Sequence, residues 1–123
     1  MKPLNVLVID DETVICDACR MVLSEKGHRV VLRNTGISGL LEIEGNGGYD
    51  LILLDMKLHD IDGSRILKLI QEQSTKVRVI VMTGYSTLSN ALEAMKLGAA
   101  DYLAKPFTED ELLATINGVF ADR

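Results

Sequence analysis

Apolar residues fall in short unbroken runs that alternate, five times, with stretches of helical spacing. Val6-Leu7-Val8-Ile9, Leu51-Ile52-Leu53-Leu54 and the stretch from Val77 to Met82 are rich in Val, Ile and Leu. Runs of that kind read as strands covered on both faces. The pattern predicts strands near 4–9, 29–32, 51–54, 77–82 and 101–104. It predicts helices near 12–26, 36–44, 63–73, 86–97 and 108–121. Gly27 and Gly98 stand where helix C-caps are expected, and Thr108-Glu109-Asp110-Glu111 spells a capping box. Leu112, Leu113, Ile116, Val119 and Phe120 then share one face of the last helix. The second helix is the weakest, because Glu42 to Gly48 holds three glycines and is expected to fray.

Strands alternating with helices define βα units around a parallel sheet. Right-handed crossovers with helices on both faces make the expected fold α/β, doubly wound and flavodoxin-like. Five strands in the order 2-1-3-4-5 would set the first and third strands side by side.

Each of four strands ends in chemistry. The first delivers Asp10 and Asp11, the third Asp55, the fourth Thr83, and the fifth Lys105 followed by Pro106. In open parallel sheets ligands bind beyond the carboxyl ends of the strands. Carboxylates crowded there cannot all ionise cheaply without a cation. The pattern therefore asks for a divalent metal, with an anion beside it for the Lys and the Thr. Taken alone, Asp10-Asp11 also reads as an N-cap of the first helix, and Asp62-Gly63 as the turn that opens the third.

At 123 residues, 47% apolar and 25% charged, the chain fits one globular domain spanning 1–123, complete or the N-terminal part of something longer. A net charge of -5 and a pI near 4.9 argue against a domain that wraps nucleic acid by itself. No apolar stretch approaches the roughly 18 residues of a spanning helix, and no signal peptide opens the chain, so no membrane role and a cytoplasmic location are expected. Cys16-Asp17-Ala18-Cys19 spells C-x-x-C, but it falls in the second turn of a helix, away from the N-terminus where such thiols are activated. Ile15, Ala18, Cys19, Val22 and Leu23 form that helix's apolar stripe, so the cysteines read as helix packing. His28 and His59 read as solvated loop residues without metal-ligand spacing.

Asp10-Asp11, Asp55, Thr83-Gly84 and Lys105-Pro106-Phe107, in this order and each at a strand end, resemble the receiver domains of two-component response regulators. The resemblance runs from Leu4 to about Phe120, and the strand order 2-1-3-4-5 is one that family itself exemplifies. It implies a signalling domain, not an enzyme acting on an external substrate. Asp55 would accept a phosphoryl group from a histidine kinase in a self-catalysed transfer and lose it slowly. Asp11 would bind Mg²⁺ directly, Asp10 through a water, with Asp55 and the backbone carbonyl of Lys57 completing the protein ligands. Lys105 and Thr83 would contact the phosphoryl group, Tyr102 would turn inward with Thr83, and the Lys105–Pro106 bond would be cis. The implied output surface is the fourth helix, fifth strand and fifth helix, including Leu92, Met95, Lys96 and Tyr102. It would meet an output domain or a second receiver.

Lys57 and His59 depart from common family usage. Lys57 puts a second cation near the acids, where it could pair with Asp10 or obstruct the attacking water. His59 stands where proline is frequent and should leave the loop less rigid. Tyr85 flanks the approach of a hydrolytic water. Three other classes compete. A Mg²⁺-dependent phosphatase would carry a second Asp two residues past its nucleophile, which both Asp10-Asp11-Glu12 and Asp55-Met56-Lys57 lack. A flavin-binding electron carrier would need a Ser/Thr/Gly-rich loop after the first strand. A phosphate-independent pseudo-receiver would have lost an acid or the lysine. The stretch from Glu93 to Phe107 looks like receivers of transcriptional activators with an ATPase module, with hybrid-kinase receivers close behind.

Overall fold

Both faces of every central strand are buried, and this organises the molecule. In the computed structural model, which describes residues 2–73, 76–84 and 88–121, five parallel strands form one sheet in the order β2-β1-β3-β4-β5. The strands are β1 (Asn5–Ile9), β2 (Arg29–Arg33), β3 (Leu51–Asp55), β4 (Arg78–Thr83) and β5 (Asp101–Ala104). Between and after them run α1 (Thr13–Glu25), α2 (Gly36–Gly45), α3 (Gly63–Gln73), α4 (Leu88–Lys96) and α5 (Glu109–Val119). Side chains alternate across a strand. Val6 and Val8 accordingly join Leu51, Leu53, Ile80 and Met82 against α1 and α5, through Cys19, Leu23, Leu112 and Ile116. Leu7 and Ile9 point the other way with Ile52, Leu54, Val79 and Val81, against Ile66, Leu67 and Ile70 of α3 and Ala94 of α4.

Most boundaries agree with the apolar pattern. Thr108 caps α5 as its capping box requires, with Oγ1 accepting the Glu111 N–H and Glu111 Oε1 accepting the Thr108 N–H. Gly27 and Gly98 have φ of +87° and +104°, a left-handed conformation open to glycine. α2 holds through Gly45 and the chain loses regular structure only beyond it. The expected start of the fourth helix at 86 lies outside the described residues.

Three readings need correction. Ala18 is exposed and Cys16 is buried in its place. The stripe of α1 is set by Cys16, Cys19 and Leu23 at i, i+3 and i+7, and Ala18 falls off that face. His28 is not a solvated loop residue: it is half-buried, and its Nδ1 accepts the Leu4 N–H at 3.0 Å. The turn after α1 must fold back to start β2 beside β1, and this carries the ring onto the backbone of Leu4. Lys57 is exposed and does not pair with Asp10.

Candidate functional site

Backbone ladders carry past the strand ends and set the site's frame. The Asp10 N–H donates to Arg33 O, the Met56 N–H to Met82 O, and the Lys105 N–H to Thr83 O, at 3.1, 3.1 and 2.7 Å. Strands β1, β3, β4 and β5 thereby hold Asp10, Asp55, Thr83 and Lys105 at one edge. Because β1 pairs with both β2 and β3, the chain leaves β1 and β3 toward opposite faces. The loops after these two strands diverge and leave an open crevice between them.

Within that crevice one carboxylate oxygen from each of Asp10, Asp11 and Asp55 lies within 4.8 Å of the others. Asp10 and Asp55 are buried, and Asp11 is half-buried. Asp10 divides its carboxylate between two tasks. Oδ1 accepts the Glu12 N–H at 2.8 Å just before α1, while Oδ2 lies 2.7 Å from Lys105 Nζ. The bond to the Glu12 N–H shapes the turn before α1 and does not cap it: the N-cap is Glu12, whose side chain makes no cap bond, so the N-cap reading of Asp10-Asp11 does not hold. Burial, reinforced by the neighbouring Asp55 and opposed by Lys105 and the Glu12 N–H, pushes the Asp10 carboxyl up to about 6. Lys105 Nζ also lies 2.9 Å from Glu12 Oε1 and 3.6 Å from Asp55 Oδ2. Burial alone would favour losing its proton, but the contacts with Asp10 and Glu12 outweigh that and hold the ammonium charged.

Asp55 Oδ1 accepts the Lys57 N–H at 3.0 Å, so Oδ2 is the oxygen turned toward Lys105. Thr83 is buried, and its Oγ1 has no hydrogen-bond partner among the described residues. Tyr102 lies outward on β5, 40% exposed. The Lys105–Pro106 peptide is cis. Tyr85 falls outside the described residues.

Four contributors were not legible beforehand. Glu12 reaches Lys105, a contact its place after Asp10-Asp11 only hints at. Cys16 Sγ donates to the Asp10 carbonyl at 3.2 Å, and burial raises this thiol to about 11. Asp60 accepts the Gly36 and Ile37 N–H groups at 2.9 Å each, tying the β3–α3 loop to the start of α2. Gly63 approaches Met56 so closely that a Cβ would sit 2.5 Å from Met56 Cα. No local sequence signal marks the last two, since both depend on elements that only the fold brings together.

The donor set fits Mg²⁺. All three carboxylates offer hard oxygens, and the Lys105 ammonium already faces Asp10, Glu12 and Asp55. Four carboxylates, those of Asp10, Asp11, Glu12 and Asp55, converge on the single Lys105 ammonium, more negative charge than it balances.

Residues 6–117 match the response regulator receiver domain. The chain is 36% identical over 120 residues to the transcriptional regulatory protein ZraR of Klebsiella oxytoca, covering 98% of this chain and 27% of that protein. It is 39% identical over 113 residues to the transcriptional regulatory protein DltR of Streptococcus agalactiae, covering 92% and 50%. A CheY-like receiver domain protein from Methanospirillum hungatei superposes with a TM-score of 0.90 at 30% identity, over 98% of this chain and 96% of that one. NtrX from Brucella abortus superposes with a TM-score of 0.91 at 28% identity, over 98% and 28%. The chain belongs to the receiver-domain family of response regulators, the signalling domains of two-component systems. It spans about a quarter to a half of the length of these curated relatives. Among the described residues no helix is long and apolar enough to cross a membrane.

Proposed function

We propose that this domain accepts a phosphoryl group on Asp55 from the phosphohistidine of a cognate histidine kinase. The observation that carries the reading is the meeting of Asp55 Oδ2 with the Lys105 ammonium, 3.6 Å away, inside a cluster of three carboxylates. Oδ2 attacks phosphorus, the P–N bond to the donor imidazole breaks with its electron pair leaving on nitrogen, and an acyl phosphate forms. The difficulty is an anion approaching an anion, so the protein's contribution is position and charge. Lys105 supplies a fixed positive charge at the oxygen that reacts, and the Lys57 N–H holds Oδ1 so that Oδ2 keeps its aim. Asp11, Asp10 through a water, Asp55 and the Lys57 carbonyl would hold Mg²⁺. When bound, the metal neutralises charge on the carboxylates and on the transferring group.

Thr83 and Tyr102 convert the modification into a change of surface. A buried hydroxyl without a partner is costly to keep, and a phosphoryl oxygen on Asp55 gives Thr83 Oγ1 an acceptor. Its movement lets Tyr102 turn inward and alters the face of α4, β5 and α5, where Leu92, Met95 and Tyr102 are exposed. That face would engage an output domain or a second receiver, as the ZraR and DltR relatives, longer than this chain, suggest. The domain itself would touch neither nucleic acid nor membrane.

Intact mass after treatment with a phosphorylated histidine donor or a small acyl-phosphate-type donor tests the assignment. One added phosphoryl group is expected in the wild type and none in Asp55→Asn. Modification surviving that substitution would relocate the acceptor.

A further inference from the structure

The loop between β3 and α3 is built as one closed unit. Met56 O accepts the Gly63 N–H at 3.2 Å, joining its two ends, and Lys57 and Asp62 form an antiparallel bridge within it. From this loop Asp60 reaches the start of α2, where Oδ1 accepts the Gly36 N–H and Oδ2 the Ile37 N–H, each at 2.9 Å. Both donors lie in the first turn of α2 and have no partner within the helix. The side chain of Thr35, the N-cap, takes a different group of that turn, the Ser38 N–H. Thr35 and Asp60 therefore divide the helix end between them. The docking is close, since a Cβ on Gly36 would overlap the Ile61 side chain.

The same loop sets backbone against Asp55. The Lys57 N–H donates to Asp55 Oδ1 at 3.0 Å, which leaves Oδ2 turned toward Lys105. Leu58 and Ile61 also pack against the core, but apolar contact is non-directional and does not fix where an N–H points. A carboxylate accepting two N–H groups does fix the backbone that carries it. The Ile37 N–H is the main cause holding the Asp60 carboxyl below its ordinary value, so it stays an acceptor at neutral pH. We propose that Asp60 is a positioning residue for phosphoryl transfer: by pinning its loop to α2 it holds the Lys57 backbone on Asp55. The start of α2 thereby becomes part of the support of the reacting side chain. The inference rests on reading Asp55 as the phosphoryl acceptor.

Asp60→Ala and Thr35→Ala each strip acceptors from the same helix end, but only the first frees the loop. Both should lower the urea midpoint, so stability alone does not separate a positioning residue from a helix cap. Hydrogen exchange at the Lys57 amide does. In Asp60→Ala it should quicken, relative to the amides of β3, by about tenfold or more, as loss of bonds to a charged group implies. Phosphorylation of Asp55 by acetyl phosphate with MgCl₂, timed by intact mass, should slow by about tenfold, as loss of an outer partner of a reactive site typically does. Thr35→Ala should keep the wild-type value of both. Asp60→Asn, which keeps one acceptor oxygen, should show the same two effects at smaller size and serves if the alanine variant does not fold. A wild-type phosphorylation rate in the Asp60 variants overturns the proposal. An equal fall in Asp60→Ala and Thr35→Ala also overturns it, by making the carboxylate a helix cap alone. Slower transfer with unaltered Lys57 exchange does so too, because the effect then bypasses that backbone. If Asp55→Asn is modified as fully as the wild type, the acceptor reading fails and this inference with it. Transfer confined to Asp55 and unaffected by Asp60→Ala removes this inference alone.

Discussion

The Lys105 ammonium and the Asp10 carboxylate meet at 2.7 Å, with the acid wholly buried and the lysine nearly so. Neither group can be removed without stranding the other's charge. Truncating one member of a buried pair is therefore costly, and in this pocket the stranded member is an acid beside two others. Lys105→Met should slow phosphorylation of Asp55 by about 10²-fold or more, the effect of deleting one preorganised electrostatic contact to a reacting group. Timed intact-mass measurements after addition of the donor check this. An unaltered rate would show that the ammonium plays no part in the transfer.

Thr83 holds a buried hydroxyl that lacks a partner. Thr83→Ala removes an unsatisfied group, so the unfolding free energy should change by no more than about 1 kcal/mol. The variant should still accept phosphate. What it should lose is the response of α4, followed by amide NMR with and without beryllofluoride as a phosphoryl mimic. A hydrogen bond to a charged oxygen is worth roughly 1.5–3 kcal/mol, enough to reverse a two-state equilibrium with a small gap. Shift changes in α4 that survive the substitution undiminished would remove Thr83 from the relay.

Gly63 begins α3 against the backbone of the loop that follows β3, and an added Cβ would lie 2.5 Å from Met56 Cα and 2.9 Å from Asp55 O. Backbone atoms cannot swing aside as a flexible side chain does. Gly63→Ala should cost roughly 1–3 kcal/mol, in the range of overpacked sites, and should displace the loop carrying Lys57 and His59. Urea unfolding measures the first effect and amide shifts of residues 56–62 the second. A wild-type midpoint with unmoved shifts would mean that the contact relaxes freely.

His28 makes stability depend on pH. Partial burial, aided by the positive chain terminus, lowers the imidazole below its ordinary value of 6.5. Protonating Nδ1 would also end its acceptance of the Leu4 N–H. The unfolded chain then takes up the proton more readily than the folded one. The stabilising contribution is complete above pH 6.5 and is lost as pH falls through the lowered folded value. Urea midpoints measured from pH 7.5 down to 5 should fall less steeply in His28→Gln than in the wild type. Parallel curves would assign the acid sensitivity elsewhere.

Strand and helix positions could be read from periodicity because burial on both faces leaves continuous apolar runs, and capping residues mark where helices start. The same runs pointed at Asp10, Asp11, Asp55, Thr83 and Lys105, since a strand's end is also where a parallel sheet presents its chemistry. Local pattern could not say how those groups are shared. Asp10 serves the turn before α1 and an ion pair together, Glu12 rather than Lys57 joins the charge network, and His59 lies against Asp11. Gly63 is needed for a backbone contact, and Cys16 replaces Ala18 in the core. Each of these depends on the distance between residues far apart in the chain or on a helix's rotation about its axis. Periodicity records only which face is buried, and the packing of β1, β3, β4 and β5 side by side settles which polar atoms meet.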